Sequence, residues 1–61
     1  MANFRSDPYV ILGLENGRWV LVQQAEWGTL RILVRNLAKK TGRTHRALNC
    51  RTNKTVVEHR G

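Results

Sequence analysis

Tyr9-Val10-Ile11-Leu12-Gly13-Leu14-Glu15-Asn16-Gly17-Arg18-Trp19-Val20-Leu21-Val22 is the stretch on which the fold turns. Two apolar runs flank Asn16-Gly17. Asn-Gly between such runs is the strongest short-range hairpin signal, because a type I′ turn needs positive φ at both central residues. The turn sets a register: Glu15 with Arg18, Leu14 with Trp19, Gly13 with Val20, Leu12 with Leu21, Ile11 with Val22. Side chains alternate along a strand. One face therefore holds Val10, Leu12, Leu14, Trp19 and Leu21, and the other holds Tyr9, Ile11, Gly13, Val20 and Val22. Both faces are apolar. Ahead of the hairpin, Asp7-Pro8 closes a tail over residues 1–8, and Pro8, without an amide hydrogen, suits the start of a strand.

Downstream, Gly28-Thr29 predicts a helix start with Thr29 as N-cap. Leu30, Leu33, Val34, Leu37 and Ala38 then follow the i, i+3, i+4, i+7, i+8 pattern of an amphipathic helix. Gly42 is placed to cap its C-terminus, after Lys39 and Lys40, whose charge suits the helix dipole. Residues 43–51 and 54–60 predict a second hairpin around Arg51-Thr52-Asn53, with Asn53 left-handed. In it Leu48 faces Val56, Ala47 faces Val57 and Arg46 faces Glu58. The expected fold is one α+β domain over residues 9–61, in the order ββαββ, an antiparallel sheet with one helix packed on one face.

A single helix leaves the other face of such a sheet in water. With Trp19 placed in the core, the open face is expected to be the one with Tyr9, Ile11, Val20 and Val22. Ile32 lies off the helix's apolar stripe. Trp27, just before the helix, is either a staple against it or an exposed anchor. Contiguous exposed apolar surface marks an interface. Tyr9, Ile11, Val20, Val22, Trp27 and Ile32 are thus the candidate protein interface, for a partner or a second copy. A homodimer would relieve the small core of a 61-residue chain, since a domain of this size buries only about 60% of its unfolded surface.

Catalytic chemistry is poorly represented. The four carboxylates, Asp7, Glu15, Glu26 and Glu58, form no pair with a reason to share a site. There is no Gly-rich phosphate loop or nucleophile elbow. Cys50 is the only cysteine, so no disulfide can form within the chain. With His45 and His59 it shows no zinc spacing, so neither metal nor cofactor is expected. A nucleophile–base pair of Cys50 with His45 would need side chains on opposite faces of one strand to meet. A half-buried cysteine and two solvated histidines are expected instead, and no enzyme. The N-terminus lacks the pattern of a signal peptide, and the apolar runs are too short to span a membrane; a cytoplasmic protein is expected.

Charge is the strongest compositional signal. The net charge is +7. Residues 1–30 carry Arg5 and Arg18 against Asp7, Glu15 and Glu26, whereas residues 31–61 carry nine cations against Glu58 alone. Arg31, Arg35 and Lys39 recur at i, i+4, i+8 and line one helix stripe, a spacing whose mild repulsion does nothing for the helix. Lys40, Arg43, Arg46, Arg51 and Lys54 extend the positive region. These eight residues are the candidate phosphate contacts to DNA or RNA. The aromatic residues, Phe4, Tyr9, Trp19 and Trp27, all lie ahead of this region, which argues against a single-strand stacking platform. In size and ββα order the chain resembles small phage- or plasmid-encoded accessory proteins, some of which bind and inhibit host enzymes. That resemblance rests on architecture and on no motif. It implies an alternative: a module docking on an acidic surface of a host protein.

Overall fold

Asn16 and Gly17 take φ of 50° and 79°, as a type I′ turn requires. They join β1 (Tyr9–Glu15) to β2 (Arg18–Ala25). The computed structural model describes residues 4–61; of the tail expected over residues 1–8, residues 1–3 lie outside the described residues. One 3₁₀ turn, Phe4–Ser6, precedes β1, and another, Trp27–Thr29, leads into α1 (Leu30–Thr41). The chain ends with β3 (His45–Asn49) and β4 (Lys54–His59). The strands form a single antiparallel sheet in the order β2-β1-β3-β4. This is the expected α+β arrangement, ββαββ.

The first hairpin keeps its expected register from Glu15–Arg18 to Leu12–Leu21, but Ile11 lies opposite Gln23. Val22 is therefore an extra residue, a β-bulge. The second hairpin pairs Arg46 with Glu58 and Ala47 with Val57 as expected, but Leu48 lies opposite Thr55, which makes Val56 the extra residue. Asn53 is left-handed, with φ of 60°, and its N–H donates to the Asn49 carbonyl at 2.7 Å. The helix buries Leu30, Val34 and Ala38. Gly42 caps it at φ 71°, its N–H donating to the Ala38 carbonyl. Thr29 occupies the N-cap position without a side-chain cap. Its hydroxyl donates instead to the Glu26 carbonyl at 3.2 Å, within the preceding 3₁₀ turn.

The helix covers the opposite face of the first hairpin from the one expected. Tyr9 and Ile11 are 2% and 0% exposed and pack with Leu30, Val34 and Ala47; they are core, not interface. Trp19, expected in the core, is only half-buried. The reason lies in β3. Ile11 pairs with Ala47 and Leu12 with Arg46, so the face that carries Leu12 also carries Arg46. Packing α1 there would force a guanidinium into the core, where an unpaired charge is very costly. On the other face β3 supplies His45, Ala47 and Asn49, and small Ala47 lets the helix approach.

Both polar members of that set are provided for. His45 is buried, not solvated as expected, and its Nδ1 donates to the Arg43 carbonyl at 2.9 Å. Gly13 makes room for the ring, since a Cβ there would lie 2.9 Å from His45 Nε2. Asn49, 5% exposed, is fully used. Its Oδ1 accepts from the N–H groups of Arg51 and Thr52 at 2.8 and 3.2 Å, and its Nδ2 donates to Asp7 at 3.0 Å and to the Tyr9 hydroxyl at 3.4 Å. Satisfied in this way, a buried amide costs little and fixes the turn.

The choice of face is measurable by chemical denaturation. Ile11→Ala should destabilise the fold by about 2–5 kcal/mol. Leu21→Ala, on the uncovered face and 62% exposed, should change stability by no more than about 0.5 kcal/mol in dilute solution. The reverse ranking would place the helix on the wrong side of the sheet.

Candidate nucleic-acid interface

The outward side of α1 is basic. Its 1.5 Å rise per residue spreads Arg31, Arg35 and Lys39 along about 12 Å of one stripe, with Lys40 beside the last. All four are exposed. None of them forms an ion pair with another described residue.

The other four candidate cations are dispersed. Arg43, just past the helix, pairs with Glu15 at 2.6 Å, both side chains about half-exposed. Arg51 donates to Asp7 at 2.8 Å. Lys54 is exposed at the start of β4, near Arg51 and at the end of the sheet where α1 begins. Arg46 lies on the uncovered face, on the far side of the sheet from the helix. The eight residues therefore do not make one patch. The structure lines Arg31, Arg35 and Lys39 along one exposed stripe of α1, sets exposed Lys40 about 100° further round the helix from Lys39, and gives Arg43 and Arg51 acidic partners within the fold.

Asp7 is part of the domain rather than of a loose tail. Its side chain is only 7% exposed and binds both Arg51 and Asn49. The Arg51 hydrogen bond, then that of Asn49, holds its carboxyl below the usual range for an aspartate. The sequence alone does not bring Asp7 to Arg51; the Tyr9–Asn49 register does.

The uncovered sheet face is the second surface. It carries Val10, Leu12, Leu14, Trp19, Leu21 and Leu48, with Arg46 among them. The Arg46 guanidinium stacks on the Trp19 ring, 4.0 Å from its centroid, a cation–π contact. Arg46 Nε is buried with no hydrogen-bond partner. Glu58 stands opposite in register but makes no ion pair with it. Sequence reading missed this stack, although the paired positions Leu14–Trp19 and Leu12–Arg46 put both residues on one face. Of the remaining interface candidates, Val20 and Val22 are partly exposed on the helix side of the edge strand β2. There, with Gly13, Leu37, Thr41 and His45, they line a cleft of about 160 Å³. Ile32 is 54% exposed on α1. Trp27 is partly exposed and stacks against Tyr9, ring centroids 5.6 Å apart.

Cys50 is exposed, not half-buried. It follows the end of β3 opposite to His45, about 17 Å away along the strand, so the two do not meet. Among the described residues no group of three or more His, Cys, Asp or Glu side chains could hold a metal. No helix among them is long and apolar enough to cross a membrane. No protein-family model, curated protein or solved structure matches the chain.

The role of Asp7 has a pH signature. Its carboxyl is held below the unfolded value of about 3.9, so its contribution to stability is full above that pH and is lost as pH falls through the lowered folded value. Asp7→Asn should therefore unfold at lower urea than the wild type at pH 7. The difference between the two midpoints should shrink as the pH is taken below about 4. A difference that does not change with pH would mean that the carboxylate's charge is not what holds Arg51.

Proposed function

We propose that the chain is a non-enzymatic module that binds nucleic acid through phosphate contacts from the exposed side of α1. Arg31, Arg35, Lys39 and Lys40 make the contacts. One observation supports this most: these four helix cations are exposed and have no acidic partner among the described residues, whereas Arg43 and Arg51 do. Repelling charges at helical spacing cost a little stability, and a polyanion is the partner that gains from them. Phosphate contacts of this kind carry affinity but no sequence information. The stripe, about 12 Å long, suits either the wall of a major groove, about 12 Å wide, or one strand's backbone. An exposed, unpaired Cys50 fits a reducing compartment such as the cytoplasm.

A second reading, docking on an acidic protein surface, draws on the same four residues. Salt dependence with purified components tells the two apart. Labelled DNA or RNA should bind with log K falling linearly in log salt. Arg35→Ala should lower the slope by about one unit, as loss of one phosphate contact does. Arg43→Ala and Arg51→Ala should leave the slope nearly unchanged, and Arg51→Ala should instead lower stability. Absence of binding to duplex DNA, single-stranded DNA and RNA at low salt would reject the nucleic-acid reading in favour of the acidic protein.

A further inference from the structure

The helix-free face of the sheet is a surface without a cover. We infer that it is covered by a second copy of this chain, packed sheet to sheet, so that the two basic helices point outward on opposite sides of the dimer. The pairing itself does not depend on the nucleic-acid reading; its consequence for bridging does.

Four observations select a second copy. The first is chemistry: exposed Leu21, with the part-buried Leu12, Leu14, Trp19 and Leu48, gives the aliphatic and aromatic surface of a homodimer interface, which is more apolar than a transient one. The second is size. Four strands about 4.8 Å apart and five to eight residues long at about 3.3 Å each give about 400 Å² in projection. That is enough for the smaller, low-affinity class of specific interfaces, below the roughly 800 Å² per partner of a standard one. The third is charge. An isologous contact sets a patch against itself, and this face holds one cation, Arg46, with one acid, Glu58, in register opposite it. The cations that would repel lie on the far side of each copy. Two sheets separate them, more than the Debye length of about 8 Å at physiological salt.

The fourth is the edges. Both edge strands carry a bulge, at Val22 in β2 and at Val56 in β4. Bulged edges resist strand-to-strand extension of a sheet, which leaves the face as the route to association. The core points the same way. Its buried hydrophobic residues are Tyr9, Ile11, Leu30, Val34, Ala38 and Ala47, a small set for a domain that must stand alone.

Sedimentation equilibrium of the full chain, without nucleic acid and across a wide concentration series, tests the pairing. The expected mass is twice the 7.0 kDa of one chain, with a melting temperature that rises with protein concentration. Leu21→Lys changes an exposed side chain on this face, so circular dichroism should show it folded. An ammonium there should weaken association about tenfold or more. Ile32→Lys, equally exposed but on α1, should leave the mass unchanged. A wild-type monomer at the highest concentration overturns the inference, as does a dimer that Ile32→Lys dissolves and Leu21→Lys does not.

Bridging is read separately. Bead-bound duplex should capture a second, labelled duplex with the wild type and not with Leu21→Lys, although that variant still binds one duplex. A dimer that binds neither DNA nor RNA would remove the phosphate reading of α1 and leave the pairing standing. A monomer that binds DNA would do the opposite.

Discussion

A single twelve-residue helix can cover one face of a four-stranded sheet and no more, and the rest of the molecule is arranged around that limit. Burial of apolar area is the main favourable term in folding, so the covered face must be the one that can be buried without stranding a charge. The first hairpin does not decide, since it is apolar on both sides. β3 decides: Ala47 and two satisfiable polar groups point one way, Arg46 and Leu48 the other. From that choice follow the two unlike surfaces of the molecule, a basic helix on one side and an apolar sheet on the other, with Arg46 held over Trp19 as the only cation placed among the aliphatic side chains.

The few acidic residues are used where loops meet the sheet. Glu15, beside the first turn, engages Arg43 after the helix. Asp7, ahead of β1, engages Arg51 after β3, with Asn49 between them. The exposed Glu15–Arg43 pair contributes little, about 0–1 kcal/mol. The Asn49 node is different because it is buried, and removing it would leave the Arg51 and Thr52 N–H groups and the Asp7 carboxylate short of partners. Once these structural uses are set aside, the charge left on α1 has no acidic counterpart among the described residues. That unpaired helix charge, within a net charge of +7, is what the proposal of a polyanionic partner rests on.

Much of the fold was legible in the sequence, and what was not has a common cause. Asn16-Gly17 gives the hairpin and most of its register, the spacing of Leu30, Leu33, Val34, Leu37 and Ala38 gives the helix, and Gly42 and Asn53 mark two left-handed positions, because each of these signals is local. The choice of buried face is not local. It depends on pairing β1 with β3, whose residues lie more than thirty positions apart in sequence, and so Tyr9 and Ile11 read as interface when they are core. The bulges at Val22 and Val56 sit in edge strands, where one extra residue disturbs a single ladder. His45 looked solvated because its acceptor is a backbone carbonyl, which no side-chain pattern announces. For the candidate site, the stripe Arg31, Arg35 and Lys39 was readable from helical spacing. The loss of Arg43, Arg46 and Arg51 from it was not, because their partners are fixed by tertiary contacts.

The two surfaces are coupled through charge even though the sheet separates them. Each copy carries +7, and at low salt, where the Debye length reaches about 30 Å and spans the two sheets, self-repulsion of that size opposes both compaction and association. Phosphate bound along α1 would neutralise part of it, so nucleic-acid binding and self-association should favour one another, and by linkage each should raise the other's affinity by the same factor. Added salt acts on the two in opposite directions. It screens the repulsion between copies and so eases pairing through the apolar face, while it removes the counterion-release gain that drives phosphate binding. On these two proposals, the basic helix and the apolar sheet face would be two contacts with opposite salt responses, and their balance would set the ionic strength at which the protein holds two nucleic-acid segments together rather than one.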